Sequence, residues 1–109
     1  MYNRTACLRW QRLNPDKVRL LQRKRALARY GLTIDDYRRM LVAQGGGCAI
    51  CRTSMPGGPG NRFVVDHDHA SGVVRGLLCV RCNFLLGYGM ESPSILLQAA
   101  EYLNQHNGA

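Results

Sequence analysis

Four cysteines constrain this chain more than any other feature. Cys48, Cys51, Cys79 and Cys82 form C-x2-C-x27-C-x2-C. Zinc takes four ligands in a tetrahedron, and two thiolate pairs on tight turns supply them. A site with four protein ligands is closed, so a structural metal is expected. It would join the loop that carries the first pair to a helix starting near Cys79, and clamp the segment between. In a chain of 109 residues this matters, because a small domain buries a limited core and gains from a staple. Metal binding of this kind is folding free energy, on the order of 10 kcal/mol for small zinc domains. Free or redox cysteines are the alternative, but a redox C-x-x-C belongs beside a βαβ pattern, which is absent here. A disulfide framework belongs to an oxidising compartment. Cys7 is left over and is given no role.

Turn and cap residues divide the rest. Residues 1–13 are basic with no clear period, and Trp10 is expected to anchor them. Asn14 looks like an N-cap, with Pro15 at the first helical position. A helix is predicted from Pro15 to Tyr30, ending at Gly31, with Leu20, Leu21, Leu27 and Ala28 on one face. Arg19 and Arg23 stack at i,i+4 on its flank. Thr33 caps a second helix over 34–44, whose buried face is Ile34, Tyr37, Met40 and Leu41. Residues 54–61 (SMPGGPGN) read as loop. Two short strands are predicted at 62–67 and 73–78, with Ala70, Ser71 and Gly72 in the turn. Cys79 to Gly87 reads as a short helix. Ser92 caps a last helix with Ile95, Leu96, Ala99, Tyr102 and Leu103 on its apolar face. This is an α+β pattern: a basic helical arm over 1–45, then a zinc-bound core with its closing helix over 46–109, as one compact unit.

Charge is distributed unevenly. Residues 1–44 hold 11 basic and 3 acidic residues, and residues 45–109 hold 4 of each. The whole excess of +8 lies in the arm. Arginine, which pairs well with phosphate, supplies most of it. A concentrated basic region favours a polyanion, and nucleic acid is the usual one. A solvated basic helix that only aids solubility is the bland alternative. No apolar run approaches the roughly 20 residues that span a bilayer, and no signal-peptide pattern opens the chain. A soluble, cytoplasmic protein with no membrane partner is therefore expected.

Between the two cysteine pairs lies Asp66-His67-Asp68-His69. Four ionisable residues in a row after an apolar strand (FVV) are costly unless they have a task. Cys82-Asn83 follows the hairpin at the start of a helix. In a regular strand Asp66 and His67 would point to opposite faces. Both can serve one cleft only if the strand twists, ends or bulges there.

The run VVDHDHASGVVRGLLCVRCNFLLG resembles the core of the phage recombination endonuclease VII family, within the broader His-Me finger (HNH-type) nucleases. The resemblance covers roughly residues 46–88, and YGLTIDDYRRMLVAQGGGCAIC resembles the segment before it. It implies a ββα-metal core with the four cysteines as structural zinc ligands. It implies that Asp66 and Asn83 bind one divalent cation, magnesium or manganese in its place, and that His67 is the general base. The implied reaction is hydrolysis of a DNA phosphodiester, first of branched, four-way-junction-like DNA, in the cytoplasm of a bacterial host. The chemistry is coherent, since a hard cation takes oxygen ligands and a neutral imidazole can deprotonate water. His69 would bind phosphate, orient substrate or fix the turn, and is carried as a catalytic candidate. Asp68 would hold the loop. Arg75 and Arg81, with Arg19 and Arg23 in the arm, are the candidate DNA contacts. His106 sits near a helix C-terminus, where it suits the dipole. Some family members carry a carboxylate three residues after the asparagine, where this chain has Leu86. Cutting a junction would need paired sites, so a homodimer is compatible with this reading. The alternatives are an HNH-type nicking enzyme acting on linear duplex, a non-catalytic zinc-knuckle nucleic-acid binder, and an assembly protein. The DHDH-to-Asn83 arrangement is the feature that a pure binder would not need.

Overall fold

The computed structural model describes residues 3–107. The order is α1 (Arg4–Leu13), α2 (Pro15–Ala28), α3 (Ile34–Ala43), β1 (Val64–His67), β2 (Val74–Leu78), α4 (Val80–Tyr88) and α5 (Pro93–Asn107). Among the described residues the fold is α+β, with five α-helices, a 3-10 turn at Pro59–Asn61 and one two-stranded antiparallel sheet. It divides into two units, residues 1–40 and 41–109. No helix among the described residues is long and apolar enough to cross a membrane.

In the first unit, the stretch before Asn14, in which no clear period is read, forms a helix of its own, α1. Asn3 accepts a hydrogen bond from the Ala6 amide (3.1 Å) and caps a helix with no buried residue. Trp10 is exposed. Asn14 stands at the N-cap of α2 as expected, but its side chain makes no cap hydrogen bond there and donates instead to the Trp10 carbonyl (2.8 Å), closing α1. Pro15 stands at the first position of α2 as expected. Of the apolar face expected there, only Leu27 is buried, while Leu20, Leu21 and Ala28 are exposed. The α3 cap is reciprocal. Thr33 Oγ1 accepts from the Asp36 amide (3.1 Å), and Asp36 Oδ2 accepts from the Thr33 amide (2.9 Å). The Thr33 amide and the Arg39 guanidinium hold the Asp36 carboxyl below its usual range.

The second unit is built around the hairpin. α3 ends in a Schellman turn, with Gly46 N–H donating to the Leu41 carbonyl (2.9 Å) and Gly45 in the left-handed region (φ 73°). Gln44 then reaches β2. Its Oε1 accepts from the Leu77 amide (2.9 Å), and its Nε2 donates to the Leu77 and Gly47 carbonyls (both 2.9 Å). One side chain thus satisfies the open edge of β2 and the start of the first cysteine turn. The core is Phe63, Val65, Leu77 and Leu78 with Cys48, Cys79 and Cys82. Val80 donates to the Pro56 carbonyl (2.8 Å), which folds the 54–61 loop onto the start of α4.

The hairpin register carries the irregularity that one cleft would need. Asp66 pairs with Gly76, but His67 pairs with Val74, so Arg75 is an extra residue on β2. The bulge lies on the strand opposite the Asp66–His67 step. Bulges of this kind bend the strand and re-aim side chains. Ser92 Oγ accepts from the Ile95 amide (3.2 Å) at the start of α5. The apolar face read on α5 is present but not buried: Ile95, Tyr102 and Leu103 are exposed, and α5 has no buried residue among those described. Leu96, half-buried, packs where Gly89 has no Cβ, since a Cβ there would come within 2.6 Å of its Cδ2.

Gln44→Ala leaves the Leu77 amide without its partner. It is expected to lower stability by about 1–3 kcal/mol, read by thermal melting, with the main loss in hydrogen-exchange protection at β2.

Candidate functional site

The cysteine cluster is assembled by local turns. Cys48 donates its amide to the Thr53 carbonyl (2.9 Å) and accepts at its own carbonyl from Arg52 (3.1 Å). Its Sγ accepts from the Ile50 amide (3.4 Å). The second pair is set by a helix start, where Cys79 caps α4 with its Sγ accepting from the Cys82 amide (3.4 Å). Ala49 donates to the Leu77 carbonyl (3.0 Å), which ties the first turn to β2. The four sulfurs lie within 4.8 Å of one another, with Cys51 and Cys79 3.7 Å apart. A tetrahedral zinc with bonds of about 2.3 Å requires sulfur separations of about 3.8 Å. The donors and the spacing fit the ion. Burial pushes the Cys48 thiol up, but amide and thiol hydrogen bonds outweigh it and bring it to about 6. Burial and the neighbouring sulfurs push Cys82 up. Four thiols this close cannot all ionise without a cation among them. A bound dication would remove that conflict.

The second cluster surrounds Asp66, whose carboxylate is almost wholly buried. Arg75, released by the bulge, grips it through Nε to Oδ2 (2.7 Å) and Nη2 to Oδ1 (2.9 Å). The same Nη2 reaches Glu91 Oε1 (2.9 Å). Bonds to these two carboxylates hold the guanidinium still more firmly protonated. Glu91 Oε1 also lies 3.6 Å from His69 Nε2. The rings of His69 and His67 are 4.9 Å apart. A continuous series therefore runs from Asp66 through Arg75, Glu91 and His69 to His67. Asp68 stands aside from it. Its carboxylate accepts from the Ser71 and Ala70 amides (3.0 and 2.8 Å), which holds it below its usual range and fixes the hairpin turn.

A cleft of about 420 Å3 opens beside the middle of this series, lined by His69, Asn83, Phe84, Gly87, Tyr88 and Glu91. Asn83 and His69 thus meet in one cavity. Asp66 and His67 stand outside its lining and join it through Arg75–Glu91 and through the His69 ring. Arg81 is exposed on α4. In the first unit, Arg19 pairs with Asp16, and the Arg23 guanidinium lies 4.3 Å from the centre of the Tyr37 ring. His106 stacks near Tyr102, with ring centres 4.6 Å apart, in the last turn of α5.

Glu91 is the site residue that sequence reasoning missed. It reaches the cleft because α4 ends in a Schellman turn without glycine. Glu91 N–H donates to the Leu86 carbonyl (2.8 Å), with Met90 and Glu91 both left-handed (φ 57° and 51°). Non-glycine residues in that region cost about 1–2 kcal/mol each. The signal the sequence holds is a glutamate four residues past the predicted helix end at Gly87 and five after Leu86.

The recombination endonuclease VII family model matches residues 23–105. The Gene 59 protein of Mycobacterium phage D29 is 43% identical over 82 residues, which is 74% of this chain and 48% of that protein. The Gene 59 protein of Mycobacterium phage L5 is 45% identical over 80 residues, 72% of this chain and 48% of that protein. The chain thus spans about half the length of these curated relatives. No solved structure matches it.

Cys79→Ser removes one of the four sulfurs and leaves a hydroxyl that can still cap α4, so it tests the cluster and not the cap. Zinc content, read by elemental analysis of the purified protein, is expected to fall from one ion per chain to none. The melting transition should broaden or vanish. A folded, zinc-free variant would show the clamp to be dispensable.

Proposed function

The chain belongs to the recombination endonuclease VII family, and from that premise we propose that it is a metal-dependent DNA endonuclease of the His-Me finger type, acting on branched DNA in the cytoplasm of a phage-infected bacterium. The observation that carries this is the series from the buried Asp66 through Arg75, Glu91 and His69 to His67, beside the cleft that holds Asn83. A binder has no need of a buried carboxylate and two imidazoles gathered around one arginine–glutamate pair.

The residues divide the work as follows. Asp66 and Asn83 supply a carboxylate and an amide oxygen, the donor set of a hard cation. Asp66 already faces a positive charge, the Arg75 guanidinium, at both of its oxygens. These two residues would hold magnesium, or manganese in its place, and the ion would supply Lewis-acid stabilisation of charge developing on the phosphate and the leaving oxygen. His67, half-buried, accepts a proton from the attacking water. His69, more exposed at the cleft, orients the phosphate. Arg75 is 40% exposed and holds its Nη2 between two carboxylates. It can turn a face to a phosphate oxygen without leaving Glu91. Arg81 adds a second cation on the same helix as Asn83, and the basic arm, including Arg19 and Arg23, contributes sequence-independent attraction. The four cysteines take no part in the chemistry and hold zinc as a structural ion.

His67→Ala is expected to reduce magnesium-dependent nicking of supercoiled plasmid and cutting of a four-way junction by 100-fold or more, the usual weight of a general base of about 10²–10⁴-fold. Zinc content and DNA binding should persist. Normal cutting by the variant would remove His67 from the mechanism. A wild-type protein that shifts DNA but never cuts it would leave only the binder.

Arg75→Ala tests Asp66 without any assay of cutting. It uncovers a buried carboxylate, and magnesium is expected to raise the melting temperature of the variant more than that of the wild type. An equal response in both proteins would argue against a cation at Asp66.

A further inference from the structure

Phe84 and Tyr88 are used neither by the core nor by the chemistry above. They are four residues apart on α4, so they share one face of the helix. Their ring centres are 6.1 Å apart, with the planes tilted by 39°. Phe84 is 54% exposed and Tyr88 is 86% exposed. Gly87 lies beside them, and the space where its Cβ would stand is open. Arg81, three residues before Phe84 and seven before Tyr88, continues the same stripe and is exposed. Both rings line the cleft that holds Asn83, His69 and Glu91.

We infer that Phe84 and Tyr88 form a stacking ledge for nucleobases that have left the duplex stack, seated beside the phosphate handled at Asn83 and His69. This deepens the nuclease reading and rests on it. Three observations select that occupant. The rings share their cleft with an amide, an imidazole and a carboxylate, whereas a groove for an apolar helix would be apolar throughout. The Glu91 charge, which would repel a phosphate, is already met by Arg75 at 2.9 Å and faces His69 at 3.6 Å. The stripe opens with an arginine, and aromatics interleaved with cations are how proteins hold single-stranded nucleic acid. Bases inside a continuous duplex are covered on both faces and cannot lie on a ring. Bases at a branch point can. The ledge therefore gives the site a preference for branched over linear DNA that phosphate contacts alone would not supply.

The test is binding of the full chain to a Y-shaped fork and to a linear duplex of the same sequence, by fluorescence anisotropy without divalent cation so that no cutting occurs. The variants are Phe84→Leu and Tyr88→Leu, which keep an apolar, helix-compatible side chain, and Tyr88→Phe, which keeps the ring. Each leucine variant is expected to weaken fork binding by about 10-fold, the size of one base–aromatic stack, with duplex binding changed by less than about two-fold. Tyr88→Phe should bind the fork like the wild type. Equal losses on fork and duplex, or no loss on either, would overturn the ledge and leave the nuclease reading standing. A wild type that binds neither DNA would remove both. A leucine variant that changes its sedimentation instead would assign this face to a second copy of the chain and overturn the ledge.

Discussion

The second unit hangs on four sulfur atoms gathered within 4.8 Å. Two of them sit in a turn after α3, and two sit at the first turn of α4. Everything between them is hairpin and loop. A two-stranded hairpin alone is marginal in water, and this one is short, with strands of four and five residues. The sulfurs close both of its ends onto one point. Cys79 carries two duties, since the same sulfur that joins the cluster also caps α4. The helix that presents Asn83 is therefore positioned by the clamp itself.

That arrangement lets the hairpin carry a buried charge. A carboxylate taken out of water needs a partner. Asp66 has one because an extra residue in β2 places Arg75 across from it. Arg75 in turn answers to Glu91, and Glu91 to His69. Each group partly neutralises the next. The left-handed turn at Met90 and Glu91 is the local strain that closes the series. The bulge and the turn lie on different elements, yet both exist to bring Arg75 and Glu91 together. In this way a sheet with only two strands supports a constellation of ionisable groups.

Much of this was legible in the residues. The cysteine spacing, the hairpin, the Thr33 cap and the irregularity at Asp66–His67 all have short-range causes that a sequence displays. What escaped reading had other causes. Helix α1 has amphipathic spacing that goes unread in so short and basic a stretch, and it buries nothing; the Asn3 cap marks its start. Leu20, Leu21, Ile95, Tyr102 and Leu103 have helical spacing, but spacing cannot say whether a partner covers the face. Gln44 is 33 residues from Leu77, and no local rule predicts so distant a latch. Glu91 reaches the cleft only through a turn in which Met90 occupies a position where glycine is usual. The family resemblance and the family match agree on residues 46–88, and the match extends on both sides of them.

The central claim is that the sulfur clamp holds Asp66 and Asn83 around one cation. Anomalous scattering from crystals of the zinc-loaded protein soaked in manganese addresses it most directly. The account predicts two sites per chain: zinc among Cys48, Cys51, Cys79 and Cys82, and manganese against the oxygens of Asp66 and Asn83, with Arg75 turned toward Glu91. Manganese bound elsewhere, or a soaked crystal in which Arg75 still covers both oxygens of Asp66, would contradict it.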